Sequence, residues 1–206
     1  AVSQKHSRFL NNLEVRHHIL TDIQETDNGG FPSIKWFSNI ETIAKCIQEE
    51  AALIEKLKPD RILGVFRFTL FVSSQITSTP YDSLICGCMI PDSDEILGFS
   101  ENDEGKDLQK KFMDNFFQYA GHKISLVLTK FSLNEIADIR FVLKGERTFL
   151  WDFPEFMPLK NKPNTIHIGP ITSSHSSYDK IDLNQIKDDK YPLAVVSFGT
   201  CVTNNN

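Results

Sequence analysis

The clearest chemical signal in the chain is Ser197-Phe198-Gly199-Thr200, a small, permissive turn that follows the apolar run Leu193-Ala194-Val195-Val196. With Pro192 before it and Gly199 after it, that run reads as a strand buried on both faces of a parallel sheet. Helices covering both sides remove the usual apolar–polar alternation. Ligands of open α/β sheets bind beyond the carboxyl ends of the strands, and glycine there lets a phosphate approach the backbone. Ser197, Gly199 and Thr200 are therefore candidate binding residues.

Other chemistry is scarce. The sequence has no Gly-x-Ser-x-Gly elbow, no His-Glu-x-x-His, no Walker loop and no Gly-x-Gly-x-x-Gly. His17 and His18 adjoin on a predicted strand and so point to opposite faces. His6, His122, His167 and His175 have no acidic or thiol partner at ligand spacing. Cys86-Gly87-Cys88 lacks a second pair for zinc, and its spacing differs from the redox Cys-x-x-Cys. With Cys46 and Cys201 these read as small buried thiols of a cytosolic protein. Asp92-x-Asp94 lacks the spaced ligands of a calcium loop.

These residues need a framework, and 206 residues with 40% hydrophobic content can bury a core, as one large domain or one and a half small ones. The formal charge of −5 argues against an electrostatic grip on nucleic acid or anionic membrane. No apolar run approaches the length of a membrane span.

In chain order, residues 4–12 read as a short helix, Glu14–Leu20 as a strand, and Thr21–Asn39 as a loop carrying Asn28-Gly29-Gly30. Asn39 is placed to cap a helix over Ile40–Lys58, where Ile43, Ile47, Leu53, Ile54 and Leu57 recur at helical spacing. A strand over Arg61–Phe66, a helix over Thr69–Thr77 and a strand over Asp82–Met89 make a parallel βαβ unit. After an acidic loop (92–104), Lys106–Tyr119 is an amphipathic helix that Gly121 should break, with Ile124–Thr129 continuing as helix or strand, helix being favoured. Ser132 and Glu135 form a capping box for a further short helix. Thr148–Trp151 and Thr165–Ile168 are short strands separated by a proline-broken loop.

Four blocks in this order resemble the family 1 nucleotide-sugar glycosyltransferases, in particular their macrolide-glycosyltransferase-like branch. They are Pro59-Asp60 through Arg67, Ser73-Ser74 and Pro80-Tyr81; Asp152-Phe-Pro-Glu-Phe-Met-Pro-Leu159; His167-Ile-Gly-Pro170; and Pro192–Thr200. The resemblance implies a Rossmann-like, doubly wound, mostly parallel sheet forming the amino-terminal half of a two-domain GT-B fold. Residues 1–170 would be the acceptor-binding domain, 171–190 the linker, and 191–206 the start of the donor-binding domain. The implied reaction moves a sugar, with inversion, from a nucleotide sugar such as a UDP-sugar to the hydroxyl of an apolar small molecule. A general base deprotonates the acceptor. The alternative is a non-catalytic Rossmann-like binding module.

On that resemblance Ser197, Gly199 and Thr200 form a phosphate-proximal turn. Arg67 either faces the acceptor cleft or makes a structural ion pair with a nearby acid. Phe66, Met89 and Phe99 either line an apolar acceptor pocket or pack in the core. The family's base is a histidine after the first strand, and none of the six histidines here matches it. Val65 stands where an acid that orients this histidine often sits. Lacking that base and the donor-binding half, the chain by itself is expected to be inactive. The resemblance also leaves the sheet without its first, central strand, so the chain is expected to rearrange, to pair with a second copy through exposed edges, or to be completed by residues absent from this sequence. Val65 and Val195 are expected in one sheet.

Overall fold

The structure, a computed structural model, describes residues 10, 15–21, 37, 39–91, 104–158 and 163–171. Its elements lie within one compact unit, Ala1–Glu25 with Pro32–Pro170; of the other unit, Thr26–Phe31 with Ile171–Asn206, only Ile171 is described. They are α1 (Ile40–Leu57), β1 (Ile62–Val65), α2 (Phe68–Thr77), β2 (Tyr81–Ile85), α3 (Gly105–Lys130), α4 (Arg140–Leu143), β3 (Arg147–Leu150) and β4 (Thr165–His167). The strands form one all-parallel sheet in the order β1-β2-β3-β4, a Rossmann-like α/β fold.

Helix α1 starts where Asn39 accepts the Thr42 N–H at 3.0 Å. It ends at Lys58, which takes a left-handed conformation and donates its N–H to the Ile54 carbonyl at 2.8 Å. Helix α2 forms despite its β-branched content because packing of its apolar residues outweighs propensity. Near its end Thr77 Oγ1 donates to the Ser73 carbonyl at 2.9 Å. One face of α2, with Phe68 and Val72, enters the core beside Ile43 and Ile47 of α1 and Ile85 and Leu150 of the sheet.

Register decides which strand residues share a face. Val65, Leu84, Phe149 and Ile166 stand in one row, and Gly64, Ser83, Thr148 and Thr165 in the next. Val65 is 53% and Ile166 46% exposed, so the apolar row is open at both edges. In the other row Ser83 Oγ and Thr148 Oγ1 are 3.3 Å apart, and the Gly145 N–H donates to Ser83 Oγ at 3.0 Å.

Four expectations need correction. The strand over Asp82–Met89 ends at Ile85, because Gly87–Met89 turns into a single 3-10 turn closed by Met89 N–H to the Cys86 carbonyl at 3.0 Å. Gly121 does not break α3, which runs through it; its missing side chain makes room for another segment of backbone. A Cβ there would lie 2.8 Å from Asp138 N and 2.9 Å from the Ala137 carbonyl. Ser132 does not cap a following helix. It sits at φ 57°, and Leu133 N–H donates to the Leu128 carbonyl at 3.0 Å, closing α3 instead. Of the strand expected over Glu14–Leu20, the described residues 15–20 do not form one: Ile19 makes an isolated bridge, and Thr21, which follows, is tied to Glu49 of α1 at 2.7 and 2.9 Å. Residues 4–9 and Val195 lie outside the described residues, so the expected pairing of Val65 and Val195 in one sheet does as well.

At the amino ends of the strands, buried Asp82 gathers two arginines. It accepts from Arg147 Nε at 2.9 Å, from Arg147 N–H at 3.2 Å and from Arg61 Nη1 at 2.9 Å. Burial pushes its carboxyl up, but the Arg147 hydrogen bonds and the two positive charges outweigh that and hold it below the usual carboxylate value. A carboxyl whose folded value is depressed stabilises the fold above its unfolded value, about 3.9, and loses that contribution as pH falls through the folded value. Urea melts of wild type and Asp82→Asn from pH 6 down to about pH 3 should therefore converge as pH falls toward and below the unfolded value. A constant gap between the two curves would remove Asp82 from the acid response.

Candidate functional site

The carboxyl ends of the parallel strands converge on a small set of side chains. β1 ends at Val65, and the next residue, Phe66, has φ 52°, uncommon for an aromatic residue. Its N–H still donates to the Leu84 carbonyl at 3.2 Å, so the ladder continues while the chain turns. That turn sets the Phe66 ring on Trp151, just beyond β3, with centroids 5.7 Å apart and planes 29° from parallel. Below them β2 delivers Cys86-Gly87-Cys88, and the Gly87 N–H donates to the Asp152 carboxylate. His167, ending β4, is taken up by the Met157 carbonyl at 3.0 Å.

Arg67 turns the other way, toward α1. Its Nε donates to Glu50 Oε1 at 2.7 Å. Glu50 is only 3% exposed, and it also accepts from Thr69 Oγ1 and Ser73 Oγ, each at 2.8 Å. A buried carboxylate is tolerable in an apolar surround because one charge and two hydroxyls satisfy it. Tyr81 lies close by; burial first, then the Glu50 charge, pushes its phenol well above the usual range, and its hydroxyl has no hydrogen-bond partner among the described residues.

Along β1 runs a cleft of about 370 Å³. Leu53, Ile54 and Leu57 of α1 form one wall, and Ile62–Val65 of β1 the other; Leu20, Pro59 and Leu70 fill in between. Among the described lining residues Glu50 and Arg67 carry the polar side chains, and none is a histidine. Ile62 N–H donates to Pro80 and Phe66 N–H to Leu84, at 2.9 and 3.2 Å. By the two-residue period of a strand, the backbone groups of Leu63 and Val65 then face away from β2, the cleft side of this edge strand.

Of the residues singled out from sequence, Arg67 lines the cleft and also makes the ion pair that was its alternative reading. Phe66 is absent from the cleft lining; it is 39% exposed and stacks on Trp151. Met89 packs against the main core and is absent from the cleft lining. Phe99, Ser197, Gly199 and Thr200 lie outside the described residues. Glu50 and Trp151 were not anticipated. Glu50 had a readable signal, since it falls on the stripe Ile43, Ile47, Ile54 that α1 buries, where an acid needs a partner.

Among the described residues, no three His, Cys, Asp or Glu side chains are grouped to hold a metal ion. Nor is any helix among them long and apolar enough to cross a membrane. Compared with protein-family models and with curated proteins, the chain matches none.

Proposed function

We propose that the chain is the acceptor side of an inverting nucleotide-sugar glycosyltransferase, and that the cleft along β1 holds the acceptor, an apolar small molecule carrying a hydroxyl. The observation that supports this reading is the cleft's composition, apolar walls with a single charged pair at one end. Such a site buries a hydrocarbon body and orients one polar group. Arg67 spends Nε on Glu50 and turns Nη2 toward the Thr21 carbonyl at 3.5 Å, which leaves the Nη1 group as the donor suited to a hydroxyl oxygen. Sugar transfer also needs a base for the hydroxyl proton and a site for the nucleotide sugar. Glu50 is engaged by three donors, so the base would come from beyond the cleft's lining residues. Ser197, Gly199 and Thr200 are the proposed neighbours of the donor's phosphates.

A second reading, a binding module without chemistry, draws on the same lack of a histidine in the cleft lining. Calorimetric titration of the chain with a panel of apolar alcohols and phenols tests the shared part. Binding is expected, weakened about tenfold by Arg67→Lys, which keeps the charge and loses the planar fork, the size of one lost charged hydrogen bond. Leu63→Asn, at an exposed wall position, should weaken it as well. Adding a UDP-sugar and finding glycosylated acceptor by mass spectrometry favours the transferase, and binding without product favours the module. No binding across the panel overturns both.

A further inference from the structure

We propose that Cys86 and Cys88 form a redox-active dithiol, closing to an intramolecular disulfide on reaction with a small-molecule disulfide. The inference rests on the turn after β2 and is independent of the acceptor reading. Cys86 leaves the strand with extended backbone, and the chain folds at once into the 3-10 turn Gly87–Met89. Met89 N–H to the Cys86 carbonyl, 3.0 Å, and Ile90 N–H to the Gly87 carbonyl, 3.3 Å, hold that turn. Consecutive Cα atoms are about 3.8 Å apart. A turned chain therefore brings residues two apart within the roughly 4.4–6.8 Å that a disulfide spans.

The side chains sit close enough that each thiol shifts the titration of the other. Gly87 puts no side chain between them. Its N–H is held by Asp152, and a Cβ there would press on Met157 at 3.1 Å and on the Asp152 carboxylate at 3.3 Å. Cys86 and Cys88 are half-buried, not buried as expected from the sequence, whereas Cys46 is fully buried. Their surroundings divide their roles. Interaction with Cys86 lowers the Cys88 thiol below its ordinary value, against burial and the Asp152 charge. The same interaction, and then partial burial, push the Cys86 thiol up. Cys88 is the attacking sulfur and Cys86 the resolving one.

The reaction balances. The Cys88 thiolate attacks one sulfur of glutathione disulfide, forming a mixed disulfide and releasing one glutathione thiolate. The Cys86 sulfur, giving up its proton, then attacks the Cys88 sulfur and releases the second glutathione. Two electrons pass from the protein thiols to the small disulfide, and the two protons end on its two thiols. A ring spanning one residue is strained, so dithiothreitol reopens it easily.

The test oxidises the full chain with excess glutathione disulfide, quenches with acid, alkylates and maps tryptic peptides by mass spectrometry. Phe68–Lys106 carries both cysteines and neither of the others. It should appear two hydrogens lighter, without alkyl or glutathione groups, and take up two alkyl groups after dithiothreitol. Cys86→Ser should stop at a glutathione adduct on Cys88, and Cys88→Ser should slow modification of Cys86 about tenfold, following the loss of the readier thiolate. Two alkyl groups on the oxidised wild-type peptide, or glutathione on both cysteines, would overturn the proposal. The wild-type map decides this even if a variant fails to fold.

Discussion

Glu50→Ala is expected to destabilise the chain by about 3–5 kcal/mol, the range found when one partner of a buried ion pair is removed. The carboxylate is 3% exposed and holds three donors from two elements, Arg67 before α2, and Thr69 and Ser73 within it. Its loss strands a guanidinium and two hydroxyls against apolar surface and loosens the clamp between α1 and α2. The value should fall toward the low end because the Arg67 side chain keeps 27% exposure and water can reach it. Glu50→Gln keeps an acceptor in place and loses the charge, so about 1–3 kcal/mol is expected. Urea denaturation monitored by circular dichroism measures both. A Glu50→Ala loss within about 0.5 kcal/mol, the size of an ordinary surface change, would show that the clamp holds nothing. Such a loss would also leave the cleft without its fixed polar end.

Gly121→Val should cost about 3 kcal/mol or more, an overpacking effect directed at backbone. Phe117, Gly121 and Ser125 lie four residues apart on one face of α3, and the segment before α4 docks along that face. Ile139 N–H donates to the Phe117 carbonyl at 3.2 Å, and Ser125 Oγ exchanges two hydrogen bonds with Ile136, both 2.9 Å. Between these contacts a Cβ on Gly121 would sit 2.8–2.9 Å from main-chain atoms of Ala137 and Asp138, which cannot rotate away. Gly121→Ala makes the sharper test because two effects oppose. Alanine favours a helix over glycine by about 1 kcal/mol, yet the collision should reverse the sign and leave the variant less stable by about 1–3 kcal/mol. A more stable Gly121→Ala would mean that glycine there serves no close approach.

Local chemistry made much of this fold readable. Asn39 and Pro59 bracket α1, an apolar stripe runs along it, and short β-rich runs alternate with helices from Arg61 to Met89. Each is a preference satisfied by near neighbours in sequence, and the structure keeps each of them, apart from the last four residues of that final run. The same local reading failed where distant backbone intervened. Gly121 looked like a helix breaker, since a breaker and a docking groove have the same composition; what distinguishes them is the 137–139 main chain. Ser132 looked like an amino-terminal cap, because Ser-x-x-Glu reads the same whether a helix begins there or another ends there.

The candidate site divides along the same line. Sequence alone determined an α/β chain with parallel strands and marked Phe66-Arg67 as the carboxyl end of one of them, because strand and helix periodicities are written in successive residues. It could not pair Arg67 with Glu50, 17 positions earlier, or stack Phe66 on Trp151, 85 positions later. Only the tertiary structure decided those contacts. Packing α1 against α2 brings the acid to the arginine, while the parallel register of β1, β2 and β3 sets both aromatic residues at the same end of the sheet. Contacts of that kind are fixed by which faces bury together, a property of the assembled layers that no single stretch of chain contains.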